Sequence, residues 1–290
     1  MAVAQRVASS TQIWRLKEIA ARMRIDIIEM LAKAGSGHPG GSLSAIDILV
    51  CLYFSQMRYD SKRPDWPDRD RFVLSKGHAV PAQYAVMAEA GYFPRQELMT
   101  LRQLNSRLQG HPVNTALPGI EACTGALGQG LSVAQGMALA SKLEGDKFHV
   151  YCMIGDGESQ EGQIWEASMS APKFKLDTLT VILDNNNGQI DGHVTEVMNL
   201  APIADKWRAF NWNVLEIDGH DVQQILDALA QAKATKGKPT LIWARTVKGK
   251  GVSFMEDQIA WHGTAPNAEQ AAKALAELRA AYSRLQQERP

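Results

Sequence analysis

From residue 11 to 33, apolar side chains recur every three or four positions. Ile13, Leu16, Ile19, Ala20, Met23, Ile27, Met30 and Leu31 share one face of a helix that Ser10 or Thr11 can cap. The period breaks at Gly35-Ser36-Gly37-His38-Pro39-Gly40-Gly41, a run that cannot continue a helix. A second helix is expected over 44–56. Residues 58–70 are charged, carry Pro64 and Pro67, and read as a surface loop before a short buried strand, Phe72-Val73-Leu74. The pattern then alternates. Helices are expected over 128–144, 160–171, 202–210 and 221–235, with strands over 148–154, 178–183, 212–217 and 239–245. Strands rich in β-branched residues between helices indicate βαβ units, hence an α/β fold: a doubly wound, mostly parallel sheet with helices on both faces. The Ala-rich stretch 267–288 reads as a helical tail, docked on the sheet or on a partner. With no repeat and no low-complexity linker, residues 1–290 read as one domain, 267–290 being its tail.

Composition narrows the function classes. Apolar residues make up 45% and charged residues 21%, as in ordinary globular proteins. Thirty-one basic residues balance 31 acidic ones, which argues against nucleic acid or an anionic membrane as the main partner. Cys51, Cys123 and Cys152 show no paired spacing, so neither a disulfide framework nor a zinc site is expected. The first 23 residues hold no apolar core of signal-peptide type, and no run of about 18 apolar residues occurs. The expected setting is cytoplasmic.

Ligands of such sheets sit beyond the carboxyl ends of the strands. Ser75–His78, Gly155–Gly157, Asp184–Gly188, Asp218–His220 and Thr246–Gly251 all follow expected strands, and the unusual residue clusters fall mostly there. The strongest is Gly155-Asp156-Gly157-Glu158, a strand running through glycines into a helix. Glycines let main-chain N–H groups approach an anion, and the helix N-terminus favours negative charge. Twenty-seven residues separate Gly157 from Asn185-Asn186, about one crossover unit, so Asp156 and Asn186 can meet at adjacent strand ends. An Asp carboxylate, an Asn amide oxygen and the Gly188 carbonyl form an all-oxygen site for a hard cation, Mg²⁺ or another divalent ion such as Ca²⁺ or Mn²⁺. With one protein charge supplied, a diphosphate must bring the rest. No G-x-G-x-x-G follows a strand, which disfavours a dinucleotide.

Four of the seven histidines, His38, His78, His111 and His262, stand beside glycine in distinctive loops. That suggests imidazoles presented to a polar, proton-exchanging ligand. A histidine metal centre is the rival, and no pair has zinc-like spacing. His149 and His193 read as surface residues.

The segments SGHPGGSLSAIDIL, SKGHAVPAQY, GHPV, TGALGQGLSVAQG, IGDGESQEGQIWEA, ILDNNNGQIDG, DGHD and TVKGKGVSFMEDQIAWHGTAP together resemble the amino-terminal, thiamine diphosphate-binding part of transketolases, from about residue 12 to 266. The resemblance implies that Asp156, Asn186 and the Gly188 carbonyl hold the metal. It implies that His78, Gly125, Leu127, Gly155, Gly157, Glu158 and Lys248 line the cofactor, and that His38, His111 and His262 face the sugar. Glu161 and Glu166 match acids that link two active sites across a dimer interface, or else are helix-start charges. Asp218-Gly219-His220-Asp221 reads as a strand-to-helix turn with a capping Asp.

The resemblance further implies a ketol transfer between sugars or sugar phosphates. The chain lacks the pyrimidine-binding part of such enzymes, so a second, separately encoded subunit is expected, in an α₂β₂ assembly, and the chain alone should be inactive. Two other readings stay open: a subunit of a 2-oxo acid dehydrogenase or decarboxylase that uses the same cofactor, and a non-catalytic cofactor-binding module.

Overall fold

The computed structural model describes residues 8–145 and 147–290. Met1–Val7, part of the N-terminal stretch read for a signal, lies outside the described residues. Helix α1 spans Ser10–Ala34 and starts one residue before its expected span, because the Ser9 hydroxyl accepts the Gln12 amide and caps it. Gly35 ends it in the left-handed region at φ 64°, its N–H returning to the Leu31 carbonyl at 3.0 Å. Helix α2, Pro39–Cys51, begins inside the segment read as a break and corrects the expected 44–56. Pro39 serves at the first turn, where its missing N–H is not needed. The following residues, Leu52–Gln56, form a single π-type turn.

Strand β1 is Arg71–Leu74 and β2 is Val150–Gly155. Between them lie α3, Val80–Glu89, and α4, Gln129–Leu143. Helix α3 was not expected, since Val80–Ala88 are all buried and no polar face sets a period. Helix α5 covers Gly162–Lys173 and β3 Leu179–Asn185. A small unforeseen hairpin follows, β4 (Gly188–Gln189) against β5 (Gly192–His193), then short α6 (Val194–Val197). The chain continues through α7 (Ile203–Ala209), β6 (Asn213–Asp218), α8 (Val222–Ala234), β7 (Thr240–Arg245) and α9 (Ala268–Gln287).

The main sheet is parallel throughout, in the order β1-β2-β3-β7-β6. Strand β2 shows why its sequence is a continuous apolar run. Val150, Cys152 and Ile154 enter the core with α4, α5 and α7, while Tyr151 and Met153 enter the core with α1, α2 and α3. Helix α9 lies on α1 rather than on the sheet, tied by Trp14 Nε1 to the Leu285 carbonyl at 2.9 Å and by Tyr282 to Glu18 at 2.8 Å. No described helix is long and apolar enough to cross a membrane.

His149 is not the surface residue its polarity suggested; it is 6% exposed. It leads into β2, so its ring packs 4.6 Å from Tyr151 and its Nε2 meets Thr180 Oγ1 of β3 at 2.8 Å. Burial lowers its pKa to about 3. His193 is half-buried, with Nδ1 3.3 Å from the Asn187 carbonyl.

Candidate active site

Parallel pairing sets Gly155 beside Asp184, so the loops after β2 and β3 leave the sheet together. Asp156 is 3% exposed, and its carboxylate oxygens accept N–H groups from Gly157 at 2.8 Å and Asn187 at 2.5 Å. The second bond crosses between the two loops and brings Asp156 to the segment that carries Asn186. The Asn186 oxygen accepts the Gly188 N–H at 3.0 Å, while its amino group donates to Ser44 Oγ and Asp184 Oδ2, both at 3.2 Å. The amide is thereby oriented with its oxygen on the Gly188 side. Burial and the neighbouring Asp184 raise the Asp156 pKa to about 6. No cationic side chain bonds it directly among the described residues. A buried carboxylate bonded only to main-chain N–H groups keeps free lone pairs and favours a cation.

Beneath this pair lies a charged layer that the sequence did not disclose. Asp184, fully buried, bonds to Lys76 and Thr246 and accepts from Ser44 Oγ at 2.6 Å. Burial pushes its carboxyl up, but Lys76 and the hydroxyls outweigh that and hold it below the usual range. Lys76 also donates to the Gly41 carbonyl at 3.0 Å. Lys248 is 2% exposed and donates to the Gly188 carbonyl at 3.2 Å. Burial and the charge of Lys76 lower its pKa to about 8. A Cβ on Gly188 would sit 2.6 Å from Lys248 Cδ, so only glycine admits the lysine so closely. Gly40 is likewise required, since its Cβ would meet Lys248 Cγ and the Trp261 carbonyl at 2.9 Å.

The four glycine-flanked histidines converge. Ring centroids lie 5.2 Å apart for His38 and His78, 5.8 Å for His38 and His262, 6.3 Å for His38 and His111, and 5.2 Å for His78 and His262. Glycines make the cluster possible: Cβ atoms on Gly41, Gly125 and Gly263 would stand 3.4 Å from His78, His111 and His38 respectively. Burial comes first in lowering each pKa, to about 4 for His38 and about 3 for His262, and well below the ordinary value for His78. His111 is lowered by burial and by Arg102. All four are therefore neutral at pH 7. The Nδ1 atoms of His38 and His262 are buried and have no hydrogen-bond partner among the described residues. Among the described residues no group of three or more His, Cys, Asp or Glu is arranged to hold a metal.

The other expected residues separate by position. Gly125 and Leu127 lie on the loop before α4, Gly125 against His111. Glu158 is 2% exposed, and its carboxylate takes the Ser75 hydroxyl and the N–H groups of Gly128 at 2.9 Å and Gly155 at 3.0 Å. It thus fastens three loops of the cradle to one another. Glu161, at the start of α5, and Glu166, within it, are both exposed. Asp221 caps α8 through the Gln223 and Gln224 N–H groups, as its turn position suggested. Arg102, at φ 58°, was not anticipated; its guanidinium lies against Gly110, next to His111.

The family model described as "Transketolase, thiamine diphosphate binding domain" matches residues 16–283. The chain is 48% identical over 251 residues to a 6-deoxy-6-sulfo-D-fructose transketolase subunit of Clostridium sp. (strain MSTE9), covering 87% of this chain and 91% of that protein. It is 42% identical over 277 residues to an apulose-4-phosphate transketolase subunit of Phocaeicola vulgatus, covering 96% of this chain and 98% of that protein. Against the transketolase of Homo sapiens the identity is 45%, over 86% of this chain but 39% of that protein. Among solved structures, the transketolase from Leishmania mexicana superposes with a TM-score of 0.85 at 32% identity, over 98% of this chain and 46% of that one.

Proposed function

Because the chain belongs to the family of transketolase thiamine diphosphate-binding domains, we propose that it is one subunit of a two-chain transketolase that moves a two-carbon ketol unit from a ketose to an aldose. One observation carries this reading: four neutral imidazoles are gathered beside a buried, cation-seeking Asp156–Asn186 pair. Relatives of nearly the same length are named as transketolase subunits, whereas the chain spans 39% of a single-chain transketolase. We therefore assign the remaining part of the active site to a second polypeptide, in an α₂β₂ assembly. Three free thiols, Cys51, Cys123 and Cys152, fit a reducing, cytoplasmic setting.

The donor set suits Mg²⁺ with a diphosphate. Asp156, the Asn186 amide oxygen and the Gly188 carbonyl are hard oxygen ligands, and one carboxylate leaves charge for phosphate oxygens to complete. Thiamine diphosphate, when bound, supplies the electron sink needed to cleave and form a bond next to a carbonyl. This chain's part is to bind, orient and exchange protons. The diphosphate is assigned to the end of β2, beside Gly155 and Gly157. Lys248, which donates to the Gly188 carbonyl in this structure and would yield that oxygen to the metal, places a cation at the same edge. His38, His111 and His262, being neutral, accept protons from sugar hydroxyls or hold them by hydrogen bonds, while His78 closes the cluster beneath.

The test is reconstitution with the second chain, thiamine diphosphate and Mg²⁺. Ketol transfer from a ketose, absent with either chain alone, is expected. Carbon dioxide release from a 2-oxo acid without ketol transfer would instead identify a dehydrogenase or decarboxylase subunit. Failure of the mixture to bind thiamine diphosphate would overturn the cofactor assignment.

A further inference from the structure

The turn Thr246–Gly251 carries Lys248, and a buried polar assembly outside the site grips it. Val247 N–H points at His220 Nε2 at 2.9 Å. An N–H donor can meet a ring nitrogen only if that nitrogen has no proton, so the proton of the neutral ring sits on Nδ1. Nδ1 lies 2.7 Å from Asp47 Oδ2 and donates to it. Asp47, 8% exposed, is held by Arg24 through two bonds of 3.0 and 2.6 Å. Arg24 Nε then reaches the Lys250 carbonyl at 3.1 Å. Arg24 of α1 and His220 of the β6–α8 turn, joined through Asp47 of α2, are thus bonded to two residues of one turn, at 250 and 247. Between those points stands Lys248, whose ammonium rests 3.2 Å from the Gly188 carbonyl.

We propose that Asp47 and His220 form a tautomer-locked positioning pair: Asp47 fixes the proton on Nδ1, Nε2 accepts the Val247 N–H, and the turn thereby holds the Lys248 ammonium where a diphosphate binds. This rests on the assignment of the site to thiamine diphosphate. The His220 ring bonds to Asp47 and to the Val247 N–H, so it acts through the main chain of the residue next to Lys248. The arrangement parallels the way outer partners fix the ligands of metal sites, where their loss costs about 10–100-fold in affinity or activity.

Two variants separate the functions of the ring. His220→Gln reaches the Nε2 position and keeps an acceptor for Val247 N–H. His220→Asn reaches the Nδ1 position and keeps only the donor to Asp47. In the reconstituted enzyme with saturating Mg²⁺, His220→Asn is expected to raise the KM for thiamine diphosphate by about tenfold or more. Its KM for the sugar donor should stay unchanged, and His220→Gln should lie within about threefold of the parent on both. Nitrogen-15 spectra of the histidine-labelled full chain are expected to show His220 protonated at Nδ1 only, with a hydrogen-bond coupling from Nε2 to the Val247 amide. A purely structural ring would lower the melting temperature of both variants and leave the cofactor KM equal between them, which overturns the proposal. So does a proton on Nε2, even if the variants unfold. If the parent enzyme binds no thiamine diphosphate, the site assignment fails and the proposal falls with it; if the parent binds and His220→Asn binds equally well, only the proposal falls.

Discussion

Replacing Lys76 by methionine leaves a buried carboxylate facing no cation. Lys76 is 1% exposed, Asp184 is 0% exposed, and the two are directly bonded. Removing one partner of such a pair costs about 3–5 kcal/mol, because the survivor stays charged and desolvated. Asp184 retains Ser44 Oγ at 2.6 Å, Asn186 Nδ2 at 3.2 Å and the Thr246 hydroxyl. Those donors hold the expected loss for Lys76→Met to the lower end, about 3 kcal/mol at pH 8. The dependence on pH follows from which influence on Asp184 survives. In the parent, Lys76 and the hydroxyls hold the carboxyl low, so its contribution is present above the unfolded pKa of about 3.9 and lost as pH falls through the folded value. Without the lysine, burial prevails and the folded pKa rises above the unfolded one. The variant then binds more protons folded than unfolded, so it loses stability as pH rises. Urea unfolding followed by circular dichroism should show a larger deficit at pH 8 than at pH 5.5. The double variant Lys76→Met/Asp184→Asn should lose less than the sum of the single losses, as coupled partners do. A deficit under about 1 kcal/mol at both pH values, or strict additivity, would refute the reasoning.

Gly188→Ala puts a methyl 2.6 Å from Lys248 Cδ and should displace the lysine. The expected result is a cofactor KM raised by about tenfold at a stability cost of about 1–3 kcal/mol, read by steady-state kinetics and thermal unfolding; unchanged kinetics would count against the role of Lys248. His149, with its pKa lowered to about 3, binds a proton in the unfolded chain before the folded one, so its buried neutral ring favours folding above pH 6.5 and that advantage shrinks as pH falls toward 3. His149→Gln should flatten the fall in stability between pH 7 and 5, by at most about 1.4 kcal/mol per pH unit, and parallel denaturation curves for variant and parent would contradict this.

The sheet was legible because its inner strands β2 and β3 are buried on both faces and separated by turn-rich breaks, so each appears as a short apolar run. Helix α3 was not, since burial all round erased its period. Helix α2 was misplaced because Pro39-Gly40-Gly41, read as a stop, also serves as the start of a crowded helix. The histidine cluster could be found because each ring has a neighbouring glycine, and three of the four rings are met by a glycine that leaves room for them. The layer beneath was hidden for the opposite reason. Lys76 and Asp184 each lie in a cluster that follows an expected strand, but nothing in the sequence pairs them; only a contact across 108 positions makes them one unit. His220 was legible as part of a capped turn, but its bond to Val247 was not, because that depends on where β7 ends beside β6. His149 was misread because polarity alone places a histidine outside, whereas the sheet provides Thr180 as a buried partner.

The proposed cofactor site requires one divalent ion gripped by Asp156, Asn186 and the Gly188 carbonyl together with a diphosphate. Anomalous diffraction from crystals of the two-chain enzyme, grown with thiamine diphosphate and Mn²⁺ in place of Mg²⁺, locates that ion directly. The expected peak lies about 2.0–2.3 Å from an Asp156 carboxylate oxygen, from Asn186 Oδ1 and from the Gly188 carbonyl oxygen, with Lys248 moved off that carbonyl. A manganese peak bound elsewhere, or a cofactor seated in the cleft with none of these three oxygens on its metal, would contradict it.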